Sequence, residues 1–512
     1  VIDLSGIASG LAIGFSVVLT PMGLLYCFFG VFLGTFIGVL PGIGPMATIA
    51  VLMPVTFHLD PTYGVIMLAG IYYGAAYGGS TASILLNLPG TASSAVTAID
   101  GYPMAQKGRA GVALFITAIA SFVGSMTGLV ILIALSQPLS RLAIEFSAPE
   151  YFSLMLLGLL AASLLASRRP FKALAMIVFG LLLGLVGIDL NSGTSRYTFG
   201  LPQLFEGLSL VALAMGLFGL PELIANAGRG PLRQVDRSSI TFRSMLPTRE
   251  EWRRSWMPMA RGAGVGSVFG TLPGTGGLIA SFMSYTLEKR VARDPEEFGK
   301  GAIEGVCGPE SANNAGVQTG FIPTLTLGVP GDAVMALILG VLMIHGIAPG
   351  PMLMVDQPNL FWGLIVSFGV GNILLLVLNI PLIGLWVRVL TIPFNILFPT
   401  IVVLICIGVY TVNYSTTDIF TVMAFGIVGF GMRRLGFEPA PVILGCVLGP
   451  LMEENFRRSL VLSGGDFSHF VERPISATLL GACLLLVLWT IAKRVLRGRR
   501  SEPYEAVSDP SA

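Results

Sequence analysis

Charge is the scarcest ingredient of this chain. Only 11% of its 512 residues are Asp, Glu, Lys or Arg, against about 25% in an ordinary soluble domain. With 54% hydrophobic residues and a mean hydropathy of +0.81, the apolar surface exceeds what a soluble fold can shelter. The composition therefore predicts an all-α polytopic membrane protein. The net charge of +2 names no partner by itself, and no nucleic acid is expected. Histidine is nearly absent: His58, His345 and His469 are the three present. They show no metal-ligand spacing, so no transition metal and no organic cofactor are expected. The cysteines (Cys27, Cys307, Cys406, Cys446, Cys483) form no CxxC and lie in apolar runs, which predicts buried small hydrophobes. HExxH, GxSxG and the P-loop are missing, which argues against intramembrane proteolysis and an ATP motor. Gly42-x-Gly44-x-x-Ala47 mimics a dinucleotide fingerprint, but Pro45 interrupts it and no βαβ unit surrounds it. The start lacks a basic n-region, so no cleavable signal peptide is expected; it opens on Val1, so the natural start is expected upstream.

Glycine and proline, by contrast, abound, at 64 and 32 residues. One pattern occurs twice inside membrane-grade sequence. Gly38-Val39-Leu40-Pro41-Gly42-Ile43-Gly44 returns as Gly270-Thr271-Leu272-Pro273-Gly274-Thr275-Gly276. Pro lacks a backbone N–H and Gly weakens a helix, so each copy should break one. Broken helices survive at membrane depth only where protein or a water-filled cavity covers the freed backbone groups. Paired breaks in corresponding halves point to a transporter's binding site.

Basic residues set the expected orientation. None precedes Lys107, which with Arg109 marks a cytoplasmic turn. Residues 112–135, 151–166, 173–188 and 208–223 then cross in alternation, down to a cytoplasmic loop rich in arginine from Arg229 to Arg254. Arg261 precedes the second Pro-Gly segment, and Lys289, Arg290 and Arg293 follow it. Both flanks want the cytoplasm, so residues 262–286 read as a re-entrant hairpin. The first copy has no basic flank, only Asp3 and Asp60 nearby, and is expected to dip in from the opposite side. A second pair supports two inverted-topology repeats. Asn87-Leu88-Pro89-Gly90 lies inside the run 63–99, and Gly328-Val329-Pro330-Gly331 inside 302–344. Each run suits one broken transmembrane helix. Residues 360–386, 396–412, 419–430, 442–451 and 475–491 supply further spans or half-spans. The expected division is 1–225 first repeat, 226–261 cytoplasmic connector, 262–500 second repeat, and 501–512 a disordered tail, with the C-terminus cytoplasmic.

Small polar residues gather at the breaks: Ser80, Thr81, Ser83, Asn87, Thr91, Ser93 and Ser94 in one half, Thr275, Ser311, Asn313, Asn314, Thr319, Thr324, Thr326 and Asp332 in the other. Their oxygens can coordinate Na⁺ and their donors can bind a carboxylate, aided by half-helix N-termini. The alternative is that each bonds its own helix or a neighbour. Glu304 and Glu310 read as cation ligands or proton carriers, or else as entrance residues solvated or paired with Lys300. Asp332 reads as a cation ligand or as the cap of the second half-helix. No intramembrane Arg or Lys stands out, so dipoles and bound Na⁺ are expected to balance the anion.

Five stretches carry a family resemblance: GVLPGIGPMATIAVLMPVTF from Gly38, GIYYGAAYGGSTASILLNLPGTASSAVTAIDGYPMAQKGRAG from Gly70, GTLPGTGGLIASFMSYTLEKR from Gly270, FGKGAIEGVCGPESANNAGVQTGFIPTLTLGVPGDAVMALILGVLMIHGIAPGP from Phe298, and EPAPVILGCVLGPLMEENFRRSL from Glu438. On these the chain resembles the large membrane subunit of the bacterial tripartite tricarboxylate transporter family. The resemblance covers nearly the whole chain. It implies cation-coupled uptake of small, citrate-like di- or tricarboxylates across the inner membrane, with Na⁺ or H⁺ as coupling ion. It implies two partners, a small four-helix membrane subunit and a periplasmic solute-binding protein. A more distant likeness to divalent-anion/sodium symporters implies elevator-type movement. Substrate-binding candidates are then Pro41, Gly42, Gly44, Ser80, Thr81, Asn87, Pro273, Gly274, Thr275, Gly276, Asn313, Asn314 and Thr326. Cation-binding candidates are Ser83, Gly90, Thr91, Thr324, Gly331 and Asp332. The competing classes are a carboxylate or ion channel and an intramembrane enzyme; no nucleophile or metal constellation supports the latter.

Overall fold

The computed structural model describes residues 3–40, 44–164, 169–189, 192–226, 242–272, 276–390 and 394–498. The first half runs α1 (Leu4–Val18), α2 (Pro21–Val39), α3 (Pro45–Thr56), α4 (Pro61–Leu86), α5 (Ala95–Met104), α6 (Ala110–Ile144), α7 (Ala148–Leu164), α8 (Pro170–Gly184), α9 (Leu210–Ala214) and α10 (Leu220–Asn226). The second runs α11 (Phe242–Met245), α12 (Arg249–Gly270), α13 (Gly276–Val291), α14 (Glu304–Leu327), α15 (Ala333–Ile344), α16 (Leu353–Asp356), α17 (Pro358–Asn379), α18 (Ile383–Val389), α19 (Phe394–Asn413), α20 (Thr416–Arg434), α21 (Ala440–Leu462), α22 (His469–Glu472) and α23 (Pro474–Gly498). Among the described residues the strands are β1 (Gly187–Ile188) and β2 (Ser195–Arg196), paired antiparallel. Four described segments are long and apolar enough to cross a membrane: Pro21–Val39, Ala95–Ile144, Pro358–Asn379 and Pro474–Ala492. Their burial differs. The α17 window is 67% buried and that of α23 only 17%, so α17 is a central post and α23 leaves most of its surface exposed.

Helix boundaries follow local chemistry. Pro21, Pro45, Pro61 and Pro358 each start a helix at its first position, where the missing N–H costs nothing. The run 360–386 divides into α17 and α18 because Pro381 follows Ile380. The second hairpin starts earlier than residue 262, inside the stretch read as connector. Thr248 accepts from the Glu251 amide at 3.3 Å, and Glu251 returns a bond to the Thr248 amide at 2.7 Å. This capping box seeds α12 at Arg249. Thr248→Ala should destabilise the fold by about 1 kcal/mol, seen as a lower thermal midpoint in detergent, with Thr248→Ser restoring it.

Both halves use one packing device. On α2, Gly30, Gly34 and Gly38 share a face that lies against α4. A Cβ there would stand 2.5, 2.5 and 2.4 Å from the carbonyl oxygens of Met67, Ile71 and Ala75. On α12, Gly262, Gly266 and Gly270 lie the same way against α14, where a Cβ would stand 2.2, 2.1 and 2.4 Å from the carbonyls of Gly308, Ala312 and Gly316. Lipid supplies no hydrophobic drive between helices, so close backbone approach and dispersion hold them. Each glycine row ends just before a Leu-Pro-Gly. The register recurs at the next break too: Gly90 abuts Gly79 as Gly331 abuts Gly320.

Helix α12 packs on α6, which is about 50 Å long. At its N-terminal end Arg109 pairs with Glu251 at the base of α12, and Gly111 lies against Ser244. Toward its C-terminal end Arg141 pairs with Asp3 at the start of α1, and Gly363 of α17 lies against Val17 of α1 and Thr62 of α4. The second base is locked by charge: Arg261 grips Glu288 at 2.9 and 2.5 Å, and Arg254 grips Glu304 and Glu297. Glu304 is thus paired with Arg254 and Lys300 with Glu296, not with each other.

Candidate functional site

A cavity of about 1010 Å³ lies where the interruptions converge. Gly44, Pro45 and Met46 bring the start of α3, and Gly276 to Ile279 bring the start of α13. Pro89 to Ser93 bring the first break of the long helices, and Asp332 to Val334 the second. Tyr72 of α4 and Asn313 of α14 complete this wall. The lining also includes Phe218, Glu222 of α10, Arg433 at the end of α20, and Glu438 to Pro441. The starts of α3, α5, α13 and α15 all border one space, each with the partial positive charge of a helix N-terminus.

Local bonds close each break. α4 ends on Asn87 with φ 55°, and α14 on Gly328 with φ 69°; this left-handed residue satisfies the last carbonyls. Ser83 Oγ then donates to Ser94 Oγ at 3.0 Å, and Thr324 Oγ1 accepts from the Gly331 amide at 3.2 Å. Asp332 caps α15: its Oδ1 accepts from the Met335 amide at 3.0 Å, while the Tyr72 hydroxyl donates to Oδ2. Of the two readings of Asp332, the cap is the contact formed. Asn313 is 2% exposed, and its Nδ2 has no hydrogen-bond partner among the described residues.

The sequence-derived candidates divide accordingly. Gly44, Gly90, Thr91, Gly276, Asn313 and Asp332 line the cavity. Pro41, Gly42, Pro273, Gly274 and Thr275 lie outside the described residues, as do residues 227–241 of the connector and the tail 501–512. Ser83, Thr324 and Gly331 are buried ties of the breaks. Ser80 and Thr326 donate to carbonyls of their own helices, at Tyr77 and Ile322. Thr81 is buried away from the cavity, and Asn87 is exposed at the helix end. Asn314, one residue beyond Asn313, turns away and meets Ser121 of α6, because successive residues point about 100° apart on a helix.

Three cavity residues escape a reading confined to the breaks: Tyr72, Glu222 and Arg433. Glu222 Oε1 accepts from the Gly44 amide at 2.9 Å, and its Oε2 lies 3.7 Å from Arg433 Nη2. A carboxylate of the protein thus occupies the start of α3, with a guanidinium beside it. The expectation of no fixed cation at the site is corrected here: Arg433 lines the cavity. Its sequence signal, a basic pair ending the apolar run 419–430, reads as a membrane flank and nothing more.

Such an arrangement, apolar helices packed through glycine around a cavity built from broken helices, defines a multi-pass membrane protein of transporter type. The chain belongs to the tripartite tricarboxylate transporter TctA family, which it matches over residues 24–444. It is 52% identical over 483 residues to an "Uncharacterized 52.8 kDa protein in TAR-I ttuC' 3'region" of Agrobacterium vitis, covering 94% of this chain and 96% of that one. It is also 52% identical over 239 residues to an "Uncharacterized protein in TAR-II ttuC' 3'region" of the same organism, covering 47% of this chain and 98% of that one. No solved structure matches the chain.

Proposed function

We propose that this chain is the carrier of a binding-protein-dependent system. It takes up a small, citrate-like di- or tricarboxylate across the bacterial inner membrane, coupled to a Na⁺ or H⁺ gradient. The observation that carries the reading is the convergence of four helix starts and Arg433 on one cavity. Its volume is at the upper end of small-molecule sites, about 300–1,000 Å³, and its amides and guanidinium suit an anion. The unpartnered Nδ2 of Asn313 supplies a further donor. The ties Ser83 and Thr324 offer oxygens for a cation.

The recurring registers support two inverted repeats, each a hairpin and a broken helix. In the elevator reading these repeats move as one body. The helices α7, α8, α21 and α23, which pack on one another, hold still and bind the small four-helix subunit. The periplasmic solute-binding protein delivers the substrate, and the C-terminus is cytoplasmic. Proteoliposomes containing the assembled membrane subunits should accumulate labelled citrate, or another member of a C4–C6 carboxylate panel, only with the receptor and an imposed ion gradient. Uptake indifferent to every gradient would overturn the coupling. Currents far above carrier turnover would favour a channel instead.

A further inference from the structure

A second polar site lies outside the cavity, between α14, α5 and α6. Glu310 is 1% exposed. Its Oε1 accepts from Thr97 Oγ1 at 2.6 Å and its Oε2 from Ser121 Oγ at 3.2 Å. No cationic side chain among the described residues pairs with it. Glu288 and Glu150, buried to the same degree, each hold an arginine. A bare carboxylate in such a place is strongly disfavoured, so Glu310 needs a positive charge from elsewhere.

Its surroundings form a polar file. Glu310, Asn314 and Gln318 recur every four residues and share one face of α14. That face meets α6, where Gly128 lies against the Gln318 Cβ. Asn314 Oδ1 and both amide atoms of Gln318 are fully buried with no hydrogen-bond partner among the described residues. Unpartnered buried amides are rare and costly. Here they extend from Glu310 along about 12 Å of helix, a polar route through an apolar interface.

We propose that Glu310 is the protonatable carboxyl that carries the coupling charge of this transporter. The proposal rests on the transport reading above. An O–H bond forms at a Glu310 oxygen as an O–H bond of a hydronium ion breaks and leaves water; on the other side the carboxyl O–H breaks and its proton passes to water, which restores hydronium and the carboxylate. A proton fits better than a metal cation. Asn314 turns its Nδ2 toward the carboxylate, held by the Glu310 carbonyl at 3.0 Å and Ser121 Oγ at 2.9 Å, whereas a hard cation requires oxygen ligands. The neighbouring ionisable groups are otherwise engaged. Tyr77 of α4 donates to Asn372 of α17. Asp100 of α5 takes Tyr285 of α13 and the amides of Gly299, Gly301 and Ala302. Glu288 holds Arg261 of α12, Glu304 holds Arg254, and Cys307 bonds the Ser255 carbonyl. On α6, Arg141 is the one ionisable residue. Coupling has a short path, because Ser93 before α5 and Asn313 on α14 both reach the cavity wall.

Infrared difference spectroscopy on the full chain in lipid, stepped from mildly acidic to mildly alkaline pH, tests this without any substrate. Wild type should show a buried carboxyl C=O band that titrates, and Glu310→Gln should remove it. Thr97→Val deletes a donor to the ionised form, so the midpoint should rise by about one pH unit. A band unchanged in Glu310→Gln, or one abolished by Na⁺ at constant pH, overturns the proposal. Should Glu310→Gln not reach the membrane, an unmoved midpoint in Thr97→Val overturns it alone. In proteoliposomes, Glu310→Gln should lose pH-gradient-driven citrate accumulation while retaining citrate exchange; retained accumulation overturns the proposal. Wild type that moves no carboxylate would sink the transport reading and leave the infrared result standing.

Discussion

Arg433→Gln should raise the carboxylate concentration for half-maximal uptake by about 10- to 100-fold, the loss of one charge-assisted hydrogen bond, with maximal rate much less changed. The argument begins with Glu222. Its carboxylate sits on the Gly44 amide and beside Arg433, so one anion already samples the start of α3. A substrate carboxylate entering the cavity meets the same two groups and competes for them. Arg433 could act on the substrate or merely neutralise Glu222, and a double-mutant cycle separates the two. If Arg433 binds substrate, its penalty persists in the Glu222→Gln background. If it only balances Glu222, Glu222→Gln restores wild-type affinity to Arg433→Gln. Uptake titrations with the four proteins decide between them, and an Arg433→Gln curve that overlays wild type would remove Arg433 from the site.

Gly90→Ala should abolish uptake, and Gly331→Ala should leave a measurable fraction. A Cβ on Gly90 would lie 1.9 Å from the Gly38 carbonyl oxygen and 2.8 Å from the Gly79 Cα. All of those are backbone atoms of packed helices and cannot swing aside. The strain belongs at the upper end of the roughly 1–3 kcal/mol that overpacking costs, and relief requires moving α2, whose end carries the hairpin tip. At Gly331 the nearest atom is Met335 Sδ at 3.0 Å, the far part of a flexible side chain. Uptake in vesicles, alongside the thermal midpoint in detergent, checks the order of the two variants. Equal activity in both would contradict the close approach at the first break.

The breaks were legible because proline and glycine act locally. Helices α4 and α14 stop just before Pro89-Gly90 and Pro330-Gly331, and the last helical residues of α2 and α12, Val39 and Gly270, come one to two residues ahead of a Leu-Pro-Gly in the sequence. The left-handed ends at Asn87 and Gly328 follow from the same chemistry. The run 302–344 matches α14 and α15 closely for this reason. The bounds of α12 were less legible, since a capping box outweighed the hydropathy of its neighbours.

What stayed hidden is what depends on direction. Asn313 and Asn314 are chemically alike and adjacent, yet one faces the cavity and the other faces α6. Helical rotation separates them, and only the neighbours of α14 decide which side holds the cavity. Glu304 and Glu310 likewise looked interchangeable; one pairs with Arg254, and the other sits among hydroxyls.

By itself, then, the amino-acid order determined a helical membrane chain, the positions of its interruptions, and the residue types available there, because hydropathy and backbone restrictions act within a few residues. Only the tertiary structure brought Arg433 and Glu222 to the start of α3, left Glu310 without a cationic partner among the described residues, and turned Asp332 into a cap. Those outcomes depend on which distant helices meet, and glycine-lined contacts between α2 and α4, and between α12 and α14, set that geometry.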